Sequence, residues 1–194
     1  MNRILIEFAH PAIQKSRINR QLINVAKEMD HVTVNDLYEN YPDFFIDVKR
    51  EQHLLLNHDI IIWHHPFYWY SAPALLIEWM DLVLEHGWAY GDKGLMLDGK
   101  SVLSVITTGG RKEVYSKEGR NHYTINEFLV PFKQSANLCR MEYLPPFVVH
   151  GAHTIHNDEI STFAENYKKV LLMLRNGEFN QKMRQAAYFN DLIE

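Results

Sequence analysis

The 194-residue sequence predicts one α/β domain built on a doubly wound parallel sheet. Apolar runs of strand length recur along the chain, and helical patterns lie between them. The runs are apolar on both faces, which is typical of a buried parallel sheet and not of an antiparallel sheet with one face in water. Strands that alternate with helices in this way indicate a doubly wound fold.

The strands are predicted directly from these apolar runs. In chain order they are ILIEFA (4–9), HVTV (31–34), DIIIW (59–63), SVLSVIT (101–107) and FVVH (147–150).

Helices are predicted where apolar residues recur three and four positions apart. Ser16 is a candidate N-cap for the first helix, and Ser71 with Pro73 begins the second. Asn157 caps a third helix, which Gly177 ends. The apolar stripes of these helices are Ile18, Leu22, Val25 and Met29; Leu75, Leu76, Trp79, Leu82 and Val83; and Ile160, Phe163, Tyr167, Leu171 and Leu174.

The composition narrows the class of protein. With 46% hydrophobic residues the chain can build a sizeable core. A net charge of -4 with dispersed basic residues argues against a nucleic-acid binder. Cys139 is the single cysteine, which indicates a reducing compartment. Because no apolar run is long enough for a signal peptide or a membrane span, we expect a cytoplasmic protein.

The end of the chain looks like an extension of this domain. We expect the domain to cover residues 1–176, and residues 177–194 to form an added helix that packs on a partner subunit.

Three loops follow predicted strand ends: HPAIQKSRIN, HHPFYWYS and TGGRKEVYSKEG. Doubly wound folds bind ligands outside the carboxyl ends of their strands, near the point where the winding reverses. We therefore expect the three loops to line one crevice.

The first loop leads into a helix N-terminus, where backbone N–H groups favour an anion. Ser16 adds a hydroxyl, Arg17 a positive charge and Asn19 an amide, and His10 lies just after the strand. The alternative is that Ser16 is only a cap, Arg17 is solvated and His10 closes a turn with Pro11. The loop has neither a dinucleotide fingerprint nor a P-loop sequence.

The second loop is rich in aromatic residues. Phe67, Tyr68, Trp69 and Tyr70 offer flat surfaces to a flat ligand, or else they fill core.

The third loop pairs two hydroxyls with two glycines, Thr107 to Gly110. Glycine lets backbone N–H groups approach the edge of a heterocycle, although a Gly-Gly pair is more often a tight turn. Together, the anion site, the rings and the backbone edge fit flavin mononucleotide (FMN).

Several motifs in a fixed order carry a family resemblance. They are AHP after the first strand, YPDFFID (41–47), HPFYWYSAPALLIEWMD (65–81), HGWAYG (86–91), ITTGG (106–110) and LPPFVVH (144–150). The chain resembles the flavodoxin-like NAD(P)H:quinone oxidoreductases, and among them the ancillary subunits of glutathione-regulated potassium-efflux systems. The resemblance implies a five-stranded sheet in the order 2-1-3-4-5.

The resemblance also implies which residues contact the cofactor. FMN is implied rather than FAD, because the first loop is shorter than in the FAD-binding relatives. The residues are His10, Ser16, Arg17, Ile18 and Asn19 at the phosphate and ribityl chain; Phe67, Tyr68, Trp69 and Tyr70 at the ring; and Thr107, Thr108, Gly109 and Gly110 along its polar edge.

Two residues are implied to be catalytic. Tyr115 matches the tyrosine that helps to stabilise the reduced flavin in related quinone reductases. Its histidine companion is expected to be His122, although Asn121 occupies the matching spacing, so that a role for His122 needs a small shift of the loop.

The expected activity is a two-electron, ping-pong transfer of hydride from NAD(P)H through the flavin to a quinone. The resemblance implies a homodimer and, as a second kind of function, a regulatory subunit on the cytoplasmic face of a potassium/proton antiporter. The HGWAYG loop either packs within its own chain or reaches toward the dimer interface.

Metal binding is an alternative because the chain has eleven histidines, three of them in HGAHTIH (150–156). Ligation needs side chains that converge on one point, and spacing of this kind between a strand and a helix does not require it. We expect no metal.

Overall fold

The structure is a computed structural model that describes residues 1–193. The strands are β1 (Ile4–Phe8), β2 (Val32–Asp36), β3 (Ile60–Pro66), β4 (Ser101–Thr107), β5 (Glu142–Tyr143) and β6 (Phe147–Val149). The helices are α1 (Arg17–Lys27), α2 (Leu37–Asn40), α3 (Val48–Leu56), α4 (Ala74–Val83), α5 (Ile125–Phe128), α6 (Val130–Leu138), α7 (Asn157–Asn176) and α8 (Gln181–Arg184), with 3-10 turns at Ile13–Lys15, Lys112–Val114 and Phe189–Leu192.

The strands form one parallel sheet, and the predicted order is confirmed. It runs β2-β1-β3-β4, with both β5 and β6 paired to β4 in the fifth position. The predicted fifth strand is β6, and β5 is a short segment just before it. The two are separated by Pro145 and Pro146, which have no N–H to donate to a ladder.

The core lies on both faces of the sheet. On one face α1 and α7 cover Ile4, Ile6 and Phe8, and on the other α3, α4 and α6 cover Leu5 and Trp63. Every residue of β1 and β3 is buried. The apolar runs therefore arise, as predicted, from strands of a sheet that is buried on both faces.

The helix starts differ from the prediction at two places. Ser16 caps α1 as expected, since its Oγ accepts from the N–H of Asn19 at 3.2 Å. Ser71 does not cap α4, because the helix begins at Ala74 and Pro73, two residues after Ser71, occupies the cap position. The cap of α7 is His156, one residue before Asn157.

The end of the chain is not the single helix that was predicted. It contains α8 and a 3-10 turn, and it returns to the edge of its own sheet. Phe189 is buried, and the amide of Asn190 accepts from the N–H of Val148 at 2.8 Å and donates to its carbonyl at 3.0 Å. The segment thus packs on β6, an edge strand with unpaired backbone groups to satisfy, and its packing on a partner subunit stays a prediction. Glu194 lies outside the described residues.

Within residues 1–193, no helix combines the length and the apolar character needed to cross a lipid bilayer.

A polar cluster interrupts the core between the sheet and helices α3 and α4. Glu7 and Glu51 are both fully buried, and the amide nitrogen of Asn35 donates to one carboxyl oxygen of each at 2.7 Å. Glu51 also accepts from Tyr41, Trp79 and Arg50, whereas Oε1 of Glu7 has no partner within residues 1–193. Burial, with the nearby Glu51 charge, raises the pKa of Glu7 well above its ordinary value. Within the cluster, burial therefore favours the protonated form of the Glu7 carboxyl.

We expect the free energy of unfolding to fall as the pH rises above 4.5, the ordinary pKa of a glutamate. Above that pH Glu7 ionises readily in the unfolded chain, whereas in the folded core its raised pKa opposes ionisation. Below that pH the raised pKa of Glu7 makes its full contribution to the free energy of unfolding. The contribution is lost as the pH rises toward the pKa of the folded state, at about 1.4 kcal/mol for each pH unit.

Glu7→Gln should remove this dependence of stability on pH. Urea unfolding at pH 5 and pH 8 measures it, with the exposed Glu165→Gln on α7 as control. An unchanged dependence in Glu7→Gln would contradict the assignment of the proton to Glu7.

Candidate functional site

The loops that follow β1, β3, β4 and β6 line a cavity of about 710 Å³. Of the residues predicted from the sequence, it brings together His10, Ser16, Arg17, Ile18, Asn19, Phe67, Tyr68, Trp69, Tyr70, Thr107, Gly109, Gly110 and Tyr115. Thr108 and His122 are not among the lining residues. The convergence expected of loops at the carboxyl ends of parallel strands is therefore present.

At the start of α1, Ser16 is arranged to donate a hydrogen bond. Its Oγ accepts from both the backbone N–H and the side-chain amide of Asn19, at 3.2 and 2.9 Å, which leaves its own proton free. The first N–H groups of α1, those of Arg17 and Ile18, lack intrahelical acceptors. The hydroxyl and these N–H groups form a site for an anion such as a phosphate.

The side chains of the three residues after Ser16 do not all face this anion site. Ile18 is buried in the core, so it can offer only its backbone. The guanidinium of Arg17 donates to the side chain of Asn157 and to the carbonyl of Ile155, which ties it to the start of α7. Lys15, which the sequence did not single out, also lines the cavity.

Asn19 organises the cavity wall from behind. Its amide nitrogen donates to Ser16 and to the hydroxyl of Thr107 at 3.0 Å, and its oxygen lies 3.1 Å from Nε2 of His64. Burial lowers the pKa of His64 well below its ordinary value, so the ring is neutral. His64 therefore sets the orientation of Asn19, a function that its position beside a strand end did not reveal.

His10 presents a neutral ring. The N–H of Ala12 donates to its Nδ1 at 3.1 Å, and burial lowers its pKa. The ring proton is therefore on Nε2, which makes His10 a donor at the cavity wall.

The aromatic loop forms a tight turn that has two non-glycine residues in the left-handed region. Trp69 and Tyr70 have φ of 50° and 62°, and the turn is closed by the bond from Ser71 to Tyr68. Within residues 1–193 the N–H groups of Trp69 and Tyr70 have no backbone acceptor. A conformation that costs about 1–2 kcal/mol per residue indicates a functional constraint on the turn.

The four aromatic rings have different surroundings. Phe67 is only 8% exposed and packs on Phe128 and Tyr115, so most of its ring belongs to the core. Tyr70 stacks on Phe128 with 5.1 Å between ring centres, and Trp69 is 94% exposed. The exposed rings of Tyr68, Trp69 and Tyr70 are the ones available to a flat ligand.

We expect Trp69→Gly to raise the free energy of unfolding of the ligand-free protein by about 1 kcal/mol, because glycine adopts a positive φ without strain. The exposed indole loses little packing. The same variant should bind FMN more weakly, and flavin fluorescence with urea unfolding measures both effects. Phe45→Gly is the control, since Phe45 is 84% exposed without a positive φ; a Trp69→Gly protein that is less stable than this control would contradict the strain.

The glycine loop after β4 leaves no room for larger side chains. A Cβ on Gly110 would lie 2.8 Å from Cγ2 of Val114 and 3.2 Å from Cε2 of Tyr115, and one on Gly109 would lie 2.9 Å from the ring of His153. The N–H of Gly109 has no backbone acceptor within residues 1–193. The loop is thus a turn that packs closely against its neighbours and leaves the N–H of Gly109 available to a ligand.

Thr108 is not among the residues that line the cavity. It is fully buried, its hydroxyl donates to the carbonyl of Gly110 at 2.7 Å, and it lies 3.1 Å from Nδ1 of His150. These bonds turn the side chain away from the cavity and make Thr108 a support for the loop.

Tyr115 lines the cavity as predicted, and His122 does not. Burial raises the pKa of Tyr115, opposed by the nearby Thr108 hydroxyl and the N–H of Gly110, so the phenol keeps its proton. His122 is exposed at a φ of 58°, outside the cavity, while Asn121 and Arg120 line it. Asn121 also accepts from Tyr70 at 3.4 Å, and it is the residue at the expected spacing.

The loop after β6 adds Ala152 and His153 to the cavity wall. The rule that pointed to the other loops, a position after a strand end, could have identified this one. The three histidines of the loop diverge, since His150 contacts Thr108, His153 lines the cavity and His156 caps α7. Within residues 1–193 no group of three His, Cys, Asp or Glu could hold a metal ion.

A family model described as a flavodoxin-like fold matches residues 2–171. The chain belongs to this flavodoxin-like family. Its sheet order is the one that the family resemblance implied.

The chain is also similar in sequence and structure to individual proteins. It is 47% identical over 169 residues to the glutathione-regulated potassium-efflux system ancillary protein KefG of Pectobacterium atrosepticum, covering 87% of this chain and 92% of that protein. The structure of general stress protein 14 of Treponema denticola in complex with FMN is 35% identical, with a TM-score of 0.85 over 89% of this chain and 99% of that one. An NADPH-quinone reductase from P. pentosaceus is 33% identical, with a TM-score of 0.79 over 87% and 96%.

Proposed function

We propose that the chain is an FMN-dependent NAD(P)H:quinone oxidoreductase that transfers two electrons in a ping-pong cycle. The observation that carries this proposal is the cavity, in which a helix N-terminus, an aromatic turn and a glycine edge meet. A phosphate, a flat ring and the polar edge of a heterocycle need these features. The FMN complex and the quinone reductase among the similar structures support the same cofactor and co-substrates.

The phosphate of FMN would bind at the start of α1. The free hydroxyl proton of Ser16 and the N–H groups of Arg17 and Ile18 are its donors, and Lys15 adds a positive charge. His10 offers one more donor, and Asn19 holds Ser16 in place.

The ring would bind between the aromatic turn and the glycine loop. Tyr68, Trp69 and Tyr70 supply flat surfaces, and Trp69 and Tyr70 add backbone N–H groups that have no backbone acceptor within residues 1–193. Thr107, Gly109 and Gly110 supply the polar edge. The absence of a Cβ on Gly110 is what allows Tyr115 to lie against this loop.

When bound, FMN supplies the two-electron chemistry, and the protein orients the reactants and controls charge. Tyr115, which keeps its proton because burial raises its pKa, can donate a hydrogen bond or a proton to an oxygen that gains negative charge. Asn121 holds the rim of the cavity through Tyr70. Trp69 and Arg120 are exposed residues of the cavity lining, and the nicotinamide and then the quinone would enter beside them.

The test is a spectrum of the purified protein after incubation with FMN, with the mass of the released flavin. We expect a yellow protein that loses its absorbance with NADH or NADPH under anaerobic conditions and regains it with a quinone. Gly110→Val should prevent loading, because its side chain occupies the space of Val114 and Tyr115. A wild-type protein that loads FMN but is reduced by neither nicotinamide would rule out the proposal.

A second candidate function is regulatory, and the similarity to the KefG ancillary protein favours it. In this function the chain would bind from the cytoplasm to a potassium/proton antiporter, and turnover would matter little. The distinguishing measurement is potassium efflux in cells that express the antiporter with wild-type protein or Tyr115→Phe. Equal activation by both would favour regulation by binding, and loss with Tyr115→Phe would favour turnover.

We also propose that the chain forms a homodimer. Side chains of Ile77 and Leu138 are exposed around a second cavity of about 310 Å³ between α4 and α6, next to the aromatic turn. Trp88 and Tyr90 of the HGWAYG loop pack against their own core, which favours the packed-loop interpretation over the interface one. Light scattering should give a dimeric mass for wild type and a lower one for Leu138→Glu; a monomeric wild type would rule the dimer out.

A further inference from the structure

A second polar cavity lies beside the anion site, in a groove between α1 and α7. Its volume is about 380 Å³, and pockets for small organic ligands begin at about 300 Å³. The lining residues recur at helical spacing, so each helix contributes one face. The groove extends about two turns, roughly 10 Å, along α1 from the end at which the anion site lies. It is lined by Arg17, Arg20, Gln21 and Asn24 on α1, and by Asn157, Ile160 and Ser161 on α7.

The α1–α7 groove is positively charged. Two of its lining residues are arginines, and none of those that the structure describes is an aspartate or a glutamate. Arg20 donates from Nε to the carbonyl of Ser16 at 3.1 Å, and its two terminal nitrogens have no hydrogen-bond partner within residues 1–193. The groove therefore offers donors to an anionic group that lies along α1.

The side chain of Arg17 crosses from α1 to α7 between the two cavities. Its guanidinium donates to Oδ1 of Asn157 at 3.0 Å and to the carbonyl of Ile155 at 2.9 Å. We call these two hydrogen bonds the Arg17 bridge. Among the described residues, Arg17 is the one that lines both the larger cavity and the groove. A ligand that extends from the anion site into the groove must therefore break the Arg17 bridge.

The position of the Arg17 bridge bears on the choice between two flavins. FMN ends at its phosphate, whereas in FAD an adenylate is attached to that phosphate. With the phosphate at the start of α1, the adenylate would continue along α1 into the groove and would meet the bridge.

We propose that the Arg17 bridge selects FMN over FAD, an inference that rests on the flavin site of the proposed function. The backbone N–H of Arg17 binds the phosphate that both flavins have, and its side chain closes the groove to the adenylate that only FAD has. Arg17 thus determines the specificity of the site through the bonds of its guanidinium to α7.

The quantity to measure is the ratio of the dissociation constant of FAD to that of FMN, from fluorescence titrations of the purified protein. Wild type should bind FMN more tightly. Arg17→Ala should lower the ratio on the order of 10-fold, because FAD no longer has to break two charge-assisted hydrogen bonds. Asn157→Ala removes one of the two acceptors and keeps the charge of Arg17, so it should lower the ratio by about threefold.

Lys15→Ala is the matched control, because Lys15 lines the cavity at the anion site and does not belong to the bridge. Loss of its charge should weaken both flavins alike and leave the ratio within about twofold of wild type. If Arg17→Ala weakens both flavins by the same factor, Arg17 acts only as a cation beside the phosphate, and the proposal is overturned. A wild type that binds FAD as tightly as FMN would also overturn it.

A double variant tests whether the adenylate lies in the groove. Adding Arg20→Gln to Arg17→Ala should remove most of the gained affinity for FAD, because the terminal nitrogens of Arg20 are donors there. A double variant that keeps the whole gain would place the adenylate elsewhere and overturn the proposal. Failure of the proposed function is a different result, since neither NADH nor NADPH would then reduce the bound FMN while the ratio changes as expected.

Discussion

Glu51→Ala is expected to lower the free energy of unfolding by about 3 kcal/mol, more than any other single substitution proposed for this chain. The Glu51 carboxylate accepts from Tyr41 at 2.5 Å, from Asn35 at 2.7 Å and from Trp79 at 2.8 Å, and it pairs with Arg50. Alanine leaves these buried donors without an acceptor and opens a cavity. Because the side chain of Arg50 is 43% exposed, we take the lower end of the range for a broken buried pair.

Thermal and urea unfolding measure this loss, which should lower the melting temperature by roughly 10 °C. Glu51→Gln keeps the shape and one acceptor oxygen, so it should cost much less. Glu165→Ala, an exposed glutamate on α7, should change stability by less than about 0.5 kcal/mol. If Glu51→Ala and Glu165→Ala have the same melting temperature, the hydrogen bonds of the buried cluster do not contribute to stability as described.

Tyr115→Phe is expected to lower the rate of quinone reduction on the order of 10²-fold, because it removes the protonated hydroxyl beside the glycine loop. Phenylalanine keeps the ring that packs against Gly110 and Phe67, so FMN affinity should change little. Steady-state turnover, together with flavin fluorescence titration, separates the two effects.

Tyr123→Phe is the matched control, since Tyr123 lies on the same loop, packs edge-on against Phe128 and is not among the cavity-lining residues. It should behave as wild type. Equal turnover in Tyr115→Phe and Tyr123→Phe would show that no proton or hydrogen bond from Tyr115 is needed in the slow step.

The fold was predictable because its signals are local and repeated. The strands of this sheet are buried on both faces, so each reads as a continuous apolar run, and the cap at Ser16 is a property of its immediate neighbours. The helix starts were wrong by one or two residues. Ser71 has the side chain of an N-cap, but it still belongs to the turn that begins at Tyr68, and the cap position of α4 is Pro73.

The site was predictable as a set of loops but not atom by atom. Topology brings the loops together, so the lining residues of three strand ends could be named from the sequence. The direction of a side chain depends on contacts that are distant along the chain. Thr108 faces inward because His150, far along the sequence, offers it a partner, and Arg17 is held by Asn157.

The two hydrogen bonds between the Asn190 side chain and the Val148 backbone have a further consequence for the edge of the sheet at β6. β6 is an edge strand, and a bare edge is a template on which another chain can add a strand and start aggregation. The Asn190 amide occupies one donor and one acceptor of this edge, as a neighbouring strand would. The segment around Phe189 thus blocks growth of the sheet from the side of β6, and Asn190→Ala should favour fibrillar aggregates on warming.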